Sequence, residues 1–374
     1  MAGRLREAAL AAVEQVTKKQ DGDSLEARST SRRIKTVDDL LAHIEADMSR
    51  YEVVASEATK WECANSEGQV TELHRVFVRL RPKAGPGVRE CVEALISGAR
   101  LKGARLGRHK PRRDGLWQVL VVADNHLGKY AWRKTTGDAD YDLDVAERRT
   151  RQASSELLAV GDSHSPARRT IAFIGDIFHY DTPSGTTTSG TPLERDGRLQ
   201  KMLEVGCQCL LGLVEQSAER CQTDVIVVNG NHDTTLSWAF QRILMERFRQ
   251  DRRVTISGEY TGRQYATYGH NLLGFCHGHR AKRKLPQIMA LEKPDLWSTS
   301  RCREWHTGHF HSQAAEWQRP IETLDGVIVR VAPSLSAADD WHSENGFLGS
   351  RQAMETFFYR PEGGLASMHV SEPA

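Results

Sequence analysis

The sequence predicts an α/β protein in which a small N-terminal α+β module precedes a larger domain. Two observations carry this prediction. From residue 117 onward, short runs rich in Val, Ile, Leu and Phe alternate with longer stretches of helical spacing. Five short clusters of Asp, Asn and His occur in order between residues 124 and 311, and most of them follow an apolar run. Since such runs are typical of central strands, the clusters are expected at strand ends.

Length and composition are those of a soluble α/β protein. The 374 residues suffice for one large domain and a smaller one, with 39% apolar residues for the core. A formal net charge of +2 points to no partner by itself, so attraction for a polyanion would depend on local clusters. No apolar run is long enough to cross a bilayer, and the seven cysteines lack zinc-finger spacing. We therefore expect free thiols and a cytoplasmic location, without membrane association.

The N-terminal part of the chain contains the predicted module. Residues 1–33 are polar after a first amphipathic stretch, and they are expected to form a flexible or helical lead-in. Residues 34–100 form the accessory α+β module, in which helical spacing follows Thr36, a residue suited to cap a helix. Extended segments are predicted over Tyr51–Cys63 and Val70–Leu80, and a helix over Val88–Ala99.

A basic linker is predicted over residues 101–115. Between Lys102 and Arg113 it contains six Lys or Arg residues and no acid. A solvated linker and a strip that contacts a polyanion are equally consistent with this composition. The candidate substrate-binding residues are Lys102, Arg105, Arg108, Lys110, Arg112 and Arg113.

Residues 116–374 make up the larger domain, in which strands and helices alternate as in parallel α/β sheets. The predicted strands are Val119–Ala123, Thr170–Ile174, Asp224–Val228, Asn271–Cys276, Val327–Val331 and Ala353–Tyr359. The predicted helices are Val145–Val160, Leu199–Arg220 and Ser237–Gln250. The small polar residues of Thr182–Pro192 indicate a loop after the second cluster.

The first two clusters supply carboxylates and an imidazole. Asp124 and His126 follow a strand, and their donor types suit a divalent cation such as manganese, iron or zinc. Asp176 follows Gly175 at the end of the next strand, and a carboxylate is the natural bridge between two cations roughly 3.5–4 Å apart. Either cluster alone would be read as an ordinary turn.

The third cluster reads Gly230-Asn231-His232-Asp233. The Asn231 carbonyl is an acceptable neutral metal ligand, and His232 is placed to supply a proton to a leaving oxygen. A hairpin turn is the ordinary interpretation of Asn-Gly-Asn. A His-Asp pair directly after a buried apolar strand nevertheless favours a functional role.

The last two clusters are rich in histidine. His277 ends a strand and is well placed as a ligand, whereas His279 lies further into the loop and is equally well explained as a solvated group. His309 and His311 are separated by one residue, so each could meet a different cation. Burial against the backbone explains any one of these residues. It does not explain six histidines, two Asp and one Asn together at strand ends.

In order and spelling, the clusters resemble the calcineurin-like metallophosphoesterase superfamily, whose signature runs Asp-x-His, Gly-Asp, Gly-Asn-His-Asp/Glu, His and Gly-His-x-His. The resemblance implies a four-layer β-sandwich flanked by helices, with two metals at its strand ends and His232 as the catalytic acid. The ligands it implies are Asp124, His126 and His311 for one metal, Asn231, His277 and His309 for the other, and Asp176 between them.

Two of these sequence motifs resemble those of the SbcD-type DNA repair nucleases and of phage-encoded metallophosphoesterases. Leu127-Gly128 follows the first His, and His179 stands where phosphoprotein phosphatases have Asp. The resemblance implies that His179 assists at the substrate phosphate or braces His232. Only residues 312–374 follow the last cluster, too few for both a capping subdomain and a helical ATPase-binding segment. An SbcC-type ATPase partner is therefore not expected.

Two functions are consistent with these residues. The first is a DNA nuclease, in which a hydroxide bridging two cations attacks phosphorus and the basic linker helps to grip DNA. The second is a phosphoesterase for a nucleotide or cyclic nucleotide, which the near-neutral charge favours. Manganese is the expected cofactor, with iron, zinc and magnesium as alternatives. The oligomeric state stays open, a dimer included.

Four tryptophans surround the last cluster in the sequence: Trp297, Trp305, Trp317 and Trp341. Stacking on nucleic-acid bases is one interpretation of such a group. Core packing is the ordinary explanation for a tryptophan, so the sequence alone does not assign these residues a role.

Overall fold

The computed structural model describes residues 15–21, 24–48, 51–64, 70–82, 115–280, 282–309 and 321–374. The chain divides into two structural units, Met1–Gly85 and Pro86–Ala374. The helix expected over Val88–Ala99, the basic residues between Lys102 and Arg113, and His311 lie outside the described residues.

The first unit is built on a four-stranded antiparallel sheet. Its elements are β1 (Gln15–Asp21), β2 (Ser24–Ser31), α1 (Val37–His43), β3 (Tyr51–Ala64) and β4 (Val70–Pro82), with strand order β1-β2-β4-β3. Thr36 and Asp39 form a reciprocal capping box, which confirms the predicted helix start. Helix α1 buries Leu40 and Leu41 in a cluster that includes Val76 and Val78 of β4.

Within the lead-in predicted over residues 1–33 as flexible or helical, the described residues 15–21 and 24–31 form strands β1 and β2 instead. In β2, Leu25, Ala27 and Ser29 are buried while the alternate side chains face outward. Glu26 on that outer face pairs with Arg79 of β4 at 2.6 Å. The mixed charges therefore belong to the exposed face of a strand, because successive side chains of a strand point to opposite faces.

The second unit contains two sheets. The larger has strand order β15-β14-β5-β6-β7-β8, and the smaller has order β12-β13-β11-β10-β9. The strands are β5 (Trp117–Val122), β6 (Arg168–Ile174), β7 (Thr223–Val228), β8 (Val254–Ile256), β9 (Arg263–Tyr268), β10 (Asn271–Cys276), β11 (Cys302–Thr307), β12 (Ile321–Leu324), β13 (Val327–Val331), β14 (Met354–Tyr359) and β15 (Leu365–Ser371).

Helices connect these strands and cover the sheets. They are α2 (Arg133–Thr136), α3 (Leu143–His164), α4 (Leu199–Arg220), α5 (Thr234–Arg247), α6 (Leu285–Glu292), α7 (Pro294–Thr299) and α8 (Asp340–Glu344). Among the described residues, no helix is both long and apolar enough to span a bilayer.

The central strands are buried on both faces, as their apolar runs predict. Leu120 and Val122 of β5 pack in a cluster with α3, α4 and α5. Val119 and Val121, on the opposite face, pack in a cluster with Phe275 of the smaller sheet. The outer face of that smaller sheet packs against α6. The mixed α/β prediction is thereby confirmed, and each apolar strand predicted for the larger domain is present with ends shifted by at most two residues.

Trp117 provides a test of the contact between the two sheets. Its ring packs 5.9 Å from Tyr268 and 5.6 Å from Tyr359, and its Nε1 donates to Thr170 Oγ1 at 2.9 Å. Trp117→Ala should lower the free energy of unfolding by about 3–5 kcal/mol, since it leaves a large buried cavity. Urea unfolding measures this effect. The exposed Trp238→Ala is the control, and equal losses in the two variants would contradict the assigned packing.

Candidate metal centre

The polar clusters meet where the two sheets end. Strands β5, β6 and β7 are adjacent and parallel, so Asp124, Asp176 and Asn231 emerge at one edge of the larger sheet. Strands β10 and β11 are also parallel neighbours, and they deliver His277 and His309. Two overlapping groups of three donors, whose ligand atoms lie within 4.8 Å of one another, share Asp176: one adds His277 and His309, and the other adds Asp124 and His126.

Four candidate ligands adopt left-handed backbone conformations. The φ angles are 51° at Asp124, 44° at His126, 50° at Asp176 and 71° at His309. Such angles are uncommon outside glycine and cost on the order of 1 kcal/mol or more each. Hydrogen bonds between the turns hold them in place, including Asp124 N–H to Gly175 O at 3.1 Å and His126 N–H to Asp176 O at 3.0 Å. Strained backbone thus aims the side chains.

Two glycines allow the turns to approach each other. A Cβ atom on Gly175 would lie 2.7 Å from both Gly230 Cα and His277 Nδ1, and φ at Gly175 is +91°. A Cβ atom on Gly230 would lie 1.9 Å from Asp176 Oδ1. Since real side chains do not tolerate such distances, glycine at both positions is a condition for the cluster to close.

His277 is oriented as a metal ligand would be. Its Nδ1 donates to the carbonyl of Ile174 at 3.1 Å, which directs Nε2 inward. That Nε2 lies 3.0 Å from Asn231 Oδ1, 3.1 Å from Asp176 Oδ2 and 3.2 Å from His309 Nδ1. A backbone carbonyl on the outer nitrogen of a ligating His is the common supporting contact at metal sites. Several electron-pair donors around one point suit a cation.

In the protein without metal, the short distances between these groups shift the pKa values of His277 and Asp176. Burial alone would lower the pKa of His277, but the Asp176 carboxylate raises it to about 9. Burial likewise opposes ionisation of Asp176, yet His277 and the His232 backbone N–H hold the pKa of Asp176 well below its usual range. A proton on His277 therefore takes the place that a metal would have beside Asp176.

Asp176 belongs to two ligand groups. One joins it with His277 and His309, and the other joins it with Asp124 and His126. The Asp124 Oδ2 atom also accepts the backbone N–H of His309 at 2.8 Å, which ties the two sheets together at the site. Carboxylate, imidazole and amide oxygen donors fit divalent cations such as Mn²⁺, Fe²⁺ or Zn²⁺.

His232 and His179 lie beside this group. The His232 N–H donates to Asp176 Oδ1 at 2.8 Å, and its ring Nδ1 donates to the carbonyl of His179 at 2.8 Å. The His179 ring is buried, with Nδ1 3.2 Å from His126 Nδ1. Burial, together with the charge of Lys129, lowers the pKa of His179 well below its usual value. His179 thus contacts His232 through its backbone carbonyl, and one of its ring nitrogens also lies within 4.8 Å of ring nitrogens of His126 and His232 in a third group of candidate ligands.

Asp233 was not assigned a role from the sequence. Its buried carboxylate accepts four backbone N–H groups. They belong to Gly230 (3.0 Å), Asp176 (3.3 Å), Ile177 (2.8 Å) and Phe178 (3.1 Å). Burial, followed by the charge of Asp176, raises the pKa of Asp233 to about 6. Asp233 ends the Gly-Asn-His-Asp motif of the sequence, but three of its four partners are 55 to 57 residues away and cannot be inferred from the motif.

His279 is the one described histidine of the clusters that stays at the margin. It is half-buried, with its ring 5.4 Å from His277 and 5.9 Å from His309. Among the described residues, it belongs to none of the ligand groups. This placement agrees with the interpretation that His279 lies outside the first ring of ligands.

A cleft of about 850 Å³ opens onto the cluster. His126, Asp176, His179, Asn231, His232 and His309 line its floor. Other parts of its wall come from the Thr182–Pro192 loop and from residues 339–347. A second feature missed in the sequence lies here: buried Lys129 pairs with Asp339 at 3.1 Å. The volume is in the usual range for small-ligand sites.

Comparisons with known proteins leave the family open. No protein-family model matches the chain, and no curated protein matches its sequence. One solved structure that resembles it is a conserved uncharacterized protein from Streptococcus pneumoniae TIGR4, titled a predicted phosphoesterase. The identity is 10%, the TM-score is 0.28, and the match covers 69% of this chain and 98% of that one. A likeness at this level decides neither fold nor activity.

Asp233→Asn tests how the cluster is positioned. An amide group cannot accept all four N–H bonds, so about 1–3 kcal/mol of stability should be lost. Affinity for Mn²⁺ should fall about 10–100-fold, because the turns that carry Asp176 and Asn231 would shift. Calorimetric titration measures this affinity. The matched control is Asp181→Asn, which loses bonds to the N–H groups of Thr235 and Leu236. Equal affinities in the two variants would contradict this role.

The pH dependence of stability tests the charge state of the protein without metal. Because the folded pKa of His277 is raised to about 9, its stabilising contribution is complete below its ordinary pKa of 6.5. As pH rises through 9 this contribution, about 3 kcal/mol at most, is lost. Urea unfolding in EDTA from pH 6.5 to 9.5 should show the decline. His277→Gln should lack it, and an unchanged slope in that variant would refute the assignment.

Proposed function

We propose that the chain is a two-metal phosphodiesterase. The observation that carries this proposal is the position of Asp176, which is buried and shared between two groups of candidate ligands. A carboxylate so placed can bridge a pair of cations, and such pairs are typical of enzymes that hydrolyse phosphate esters. The cleft that it lines has a volume of about 850 Å³, which is enough for a phosphodiester with a substituent on each side.

The residues divide between two metals. Asp124, His126 and Asp176 would hold one, with His311 added by the motif resemblance. Asp176, Asn231, His277 and His309 would hold the other. Divalent cations bound here would supply an activated water and neutralise the charge that develops on phosphate. The mixed oxygen and imidazole donors favour Mn²⁺ first, with Fe²⁺, Zn²⁺ and Mg²⁺ as alternatives.

The protein's own residues would handle the proton and the leaving group. His232 lines the cleft, and the carbonyl of His179 holds its Nδ1–H. Its Nε2 is thereby directed away from that contact and lies 4.0 Å from Asp176 Oδ2. His232 protonates the departing oxygen from this position. His179 acts chiefly by fixing the ring of His232, and a direct contact between His179 and phosphate is the alternative.

The more specific form of the proposal is a DNA nuclease of SbcD type. The sequence motifs Asp124 to Gly128 and Gly175 to His179 support this form, as does the basic composition of Lys102–Arg113. The four-layer sandwich of the calcineurin-like superfamily belongs to the same proposal. DNA is then the expected partner.

A phosphoesterase for a nucleotide or cyclic nucleotide is the second candidate, which the charge of the cleft favours. Glu194, Asp339, Asp340 and Glu344 line the described wall. Lys129, on the same wall, is already paired with Asp339. Since a DNA backbone carries one charge per phosphate, these acids would repel a long strand more than a short ester.

Metal dependence tests the shared part of the two candidates. EDTA should abolish hydrolysis, and Mn²⁺ should restore it best. Asp176→Ala and His309→Ala should reduce turnover to background, because each removes a ligand. His232→Gln should retain metal but lower kcat by about 10²–10⁴-fold. Asp144→Ala, an exposed acid on α3, is the control. Full activity in Asp176→Ala would contradict the proposal.

A comparison of substrates separates the two candidates. The purified protein with Mn²⁺ is incubated with labelled single- and double-stranded DNA, a chromogenic phosphodiester and a phosphomonoester. Cleavage of DNA supports the nuclease. Turnover of the small diester without DNA cleavage supports the second candidate. Robust monoester turnover without DNA cleavage would overturn the nuclease assignment.

A further inference from the structure

The four tryptophans near the last cluster differ in their surroundings. Trp305 is buried in the smaller sheet, and Trp297 is half-buried with Arg303 4.2 Å above its ring. Trp317 lies outside the described residues. Trp341 is 60% exposed and lines the same cleft as His232 and His309. Exposure of an indole ring inside a cleft is a feature that core packing does not explain.

Trp341 is stacked on Phe347. The ring centroids are 5.6 Å apart and the planes are inclined by 28°. Phe347 is 36% exposed, and its N–H donates to His342 O at 2.8 Å, which closes the turn between the two rings. We call this pair the aromatic shelf. Both rings line the cleft, and each has one face that the other does not cover.

The aromatic shelf is fixed to the wall of the site. Asp339 caps α8 by accepting the N–H of His342 at 3.0 Å, and its other oxygen pairs with buried Lys129. Thr135 Oγ1 donates to Asp340 Oδ1 at 2.6 Å, and Ser343 Oγ donates to Thr136 O at 2.9 Å. A shelf held in advance loses little conformational entropy when a ligand binds.

We propose that the aromatic shelf is a nucleobase subsite, where the base of the substrate stacks on Trp341 while its phosphate lies over the metal centre. This inference rests on the proposed function and names its substrate as a nucleoside phosphodiester. Every base has a π-face that can stack on an indole ring. Acids beside the shelf, Asp340 and Glu344, can accept hydrogen bonds from base N–H groups but repel further phosphates.

The shape of the shelf distinguishes a base from a quaternary ammonium group. Cages for such cations surround the charge with several aromatic faces. Here the planes of Trp341 and Phe347 are inclined by 28°, and the His342 ring lies 5.1 Å from Trp341 at an interplanar angle of 86°. The two stacked rings do not surround a common centre, so they offer a ligand only the outer faces of the stack. That geometry matches a planar group. A phosphocholine ester is therefore the competing ligand that the test has to exclude.

The test compares three chromogenic diesters that share a p-nitrophenol leaving group: the thymidine 5′-phosphate, methyl phosphate and phosphocholine esters. In Trp341→Ala, the ratio of kcat/KM for the thymidine ester to that for the methyl ester should fall about tenfold, as expected for one lost base stack. Trp341→Phe should retain most of the ratio. The matched control is Trp238→Ala, an exposed tryptophan of α5 that should leave the ratio unchanged. An oligothymidylate is included as a further substrate, and its cleavage shows whether the subsite accepts a base of DNA or only that of a small ester.

The outcomes separate the subsite from the activity. An unchanged ratio in Trp341→Ala, or a larger loss on the phosphocholine ester, would overturn the nucleobase assignment while the phosphodiesterase stands. If the wild-type protein hydrolyses none of the esters, the proposed function fails. Quenching of tryptophan fluorescence by thymidine monophosphate then tests whether the aromatic shelf binds a nucleobase. Quenching in wild type that Trp341→Phe loses, with ribose 5-phosphate inert, supports the subsite. Absent quenching overturns it.

Discussion

The buried negative charge of Asp176 is the constraint on which the site depends. An ionised carboxylate away from water is costly unless opposite charge and hydrogen bonds compensate for it. Here the compensation comes from His277 and from the backbone N–H of His232. Both partners are delivered by strands of different sheets. The contact between the sheets therefore does more than bury apolar surface, because it decides whether the charge is tolerated.

A second buried carboxylate lies close behind the first. Asp233 binds the backbone N–H of Asp176 itself, together with those of the two residues that follow. Four N–H donors offset part of the cost of its charge without any cation, although burial and the charge of Asp176 still raise its pKa. Asp233 can therefore organise the turns in the absence of metal. Asp176 is different, since the groups around its inward oxygen include further electron-pair donors. The structure thus separates a carboxylate that shapes the site from one that needs a cation.

The sequence predicted the parts of the fold that local pattern controls. Runs such as Asn271–Cys276 are apolar throughout, and only a strand buried on both faces needs that composition. β2 escaped prediction because its buried face carries Ala27 and Ser29, whose small side chains give a weak alternation. The roles of Asp233 and Lys129 were not predicted for another reason. Apart from Gly230, the hydrogen-bond partners of Asp233 are 55 to 57 residues away, and the partner of Lys129 is Asp339, so no spacing within a motif reveals these contacts.

The floor and the rim of the cleft favour different charges in a substrate. The floor gathers donors that attract cations and, through them, phosphate. The rim carries Glu194, Asp340 and Glu344 next to an aromatic surface. A ligand satisfies both only if its charge is concentrated at one end and a neutral, planar group lies at the other. A single nucleotide unit has that distribution, whereas a continuous strand would have to direct its remaining phosphates away from the rim. The rim, more than the metal centre, thus decides between the two candidate functions.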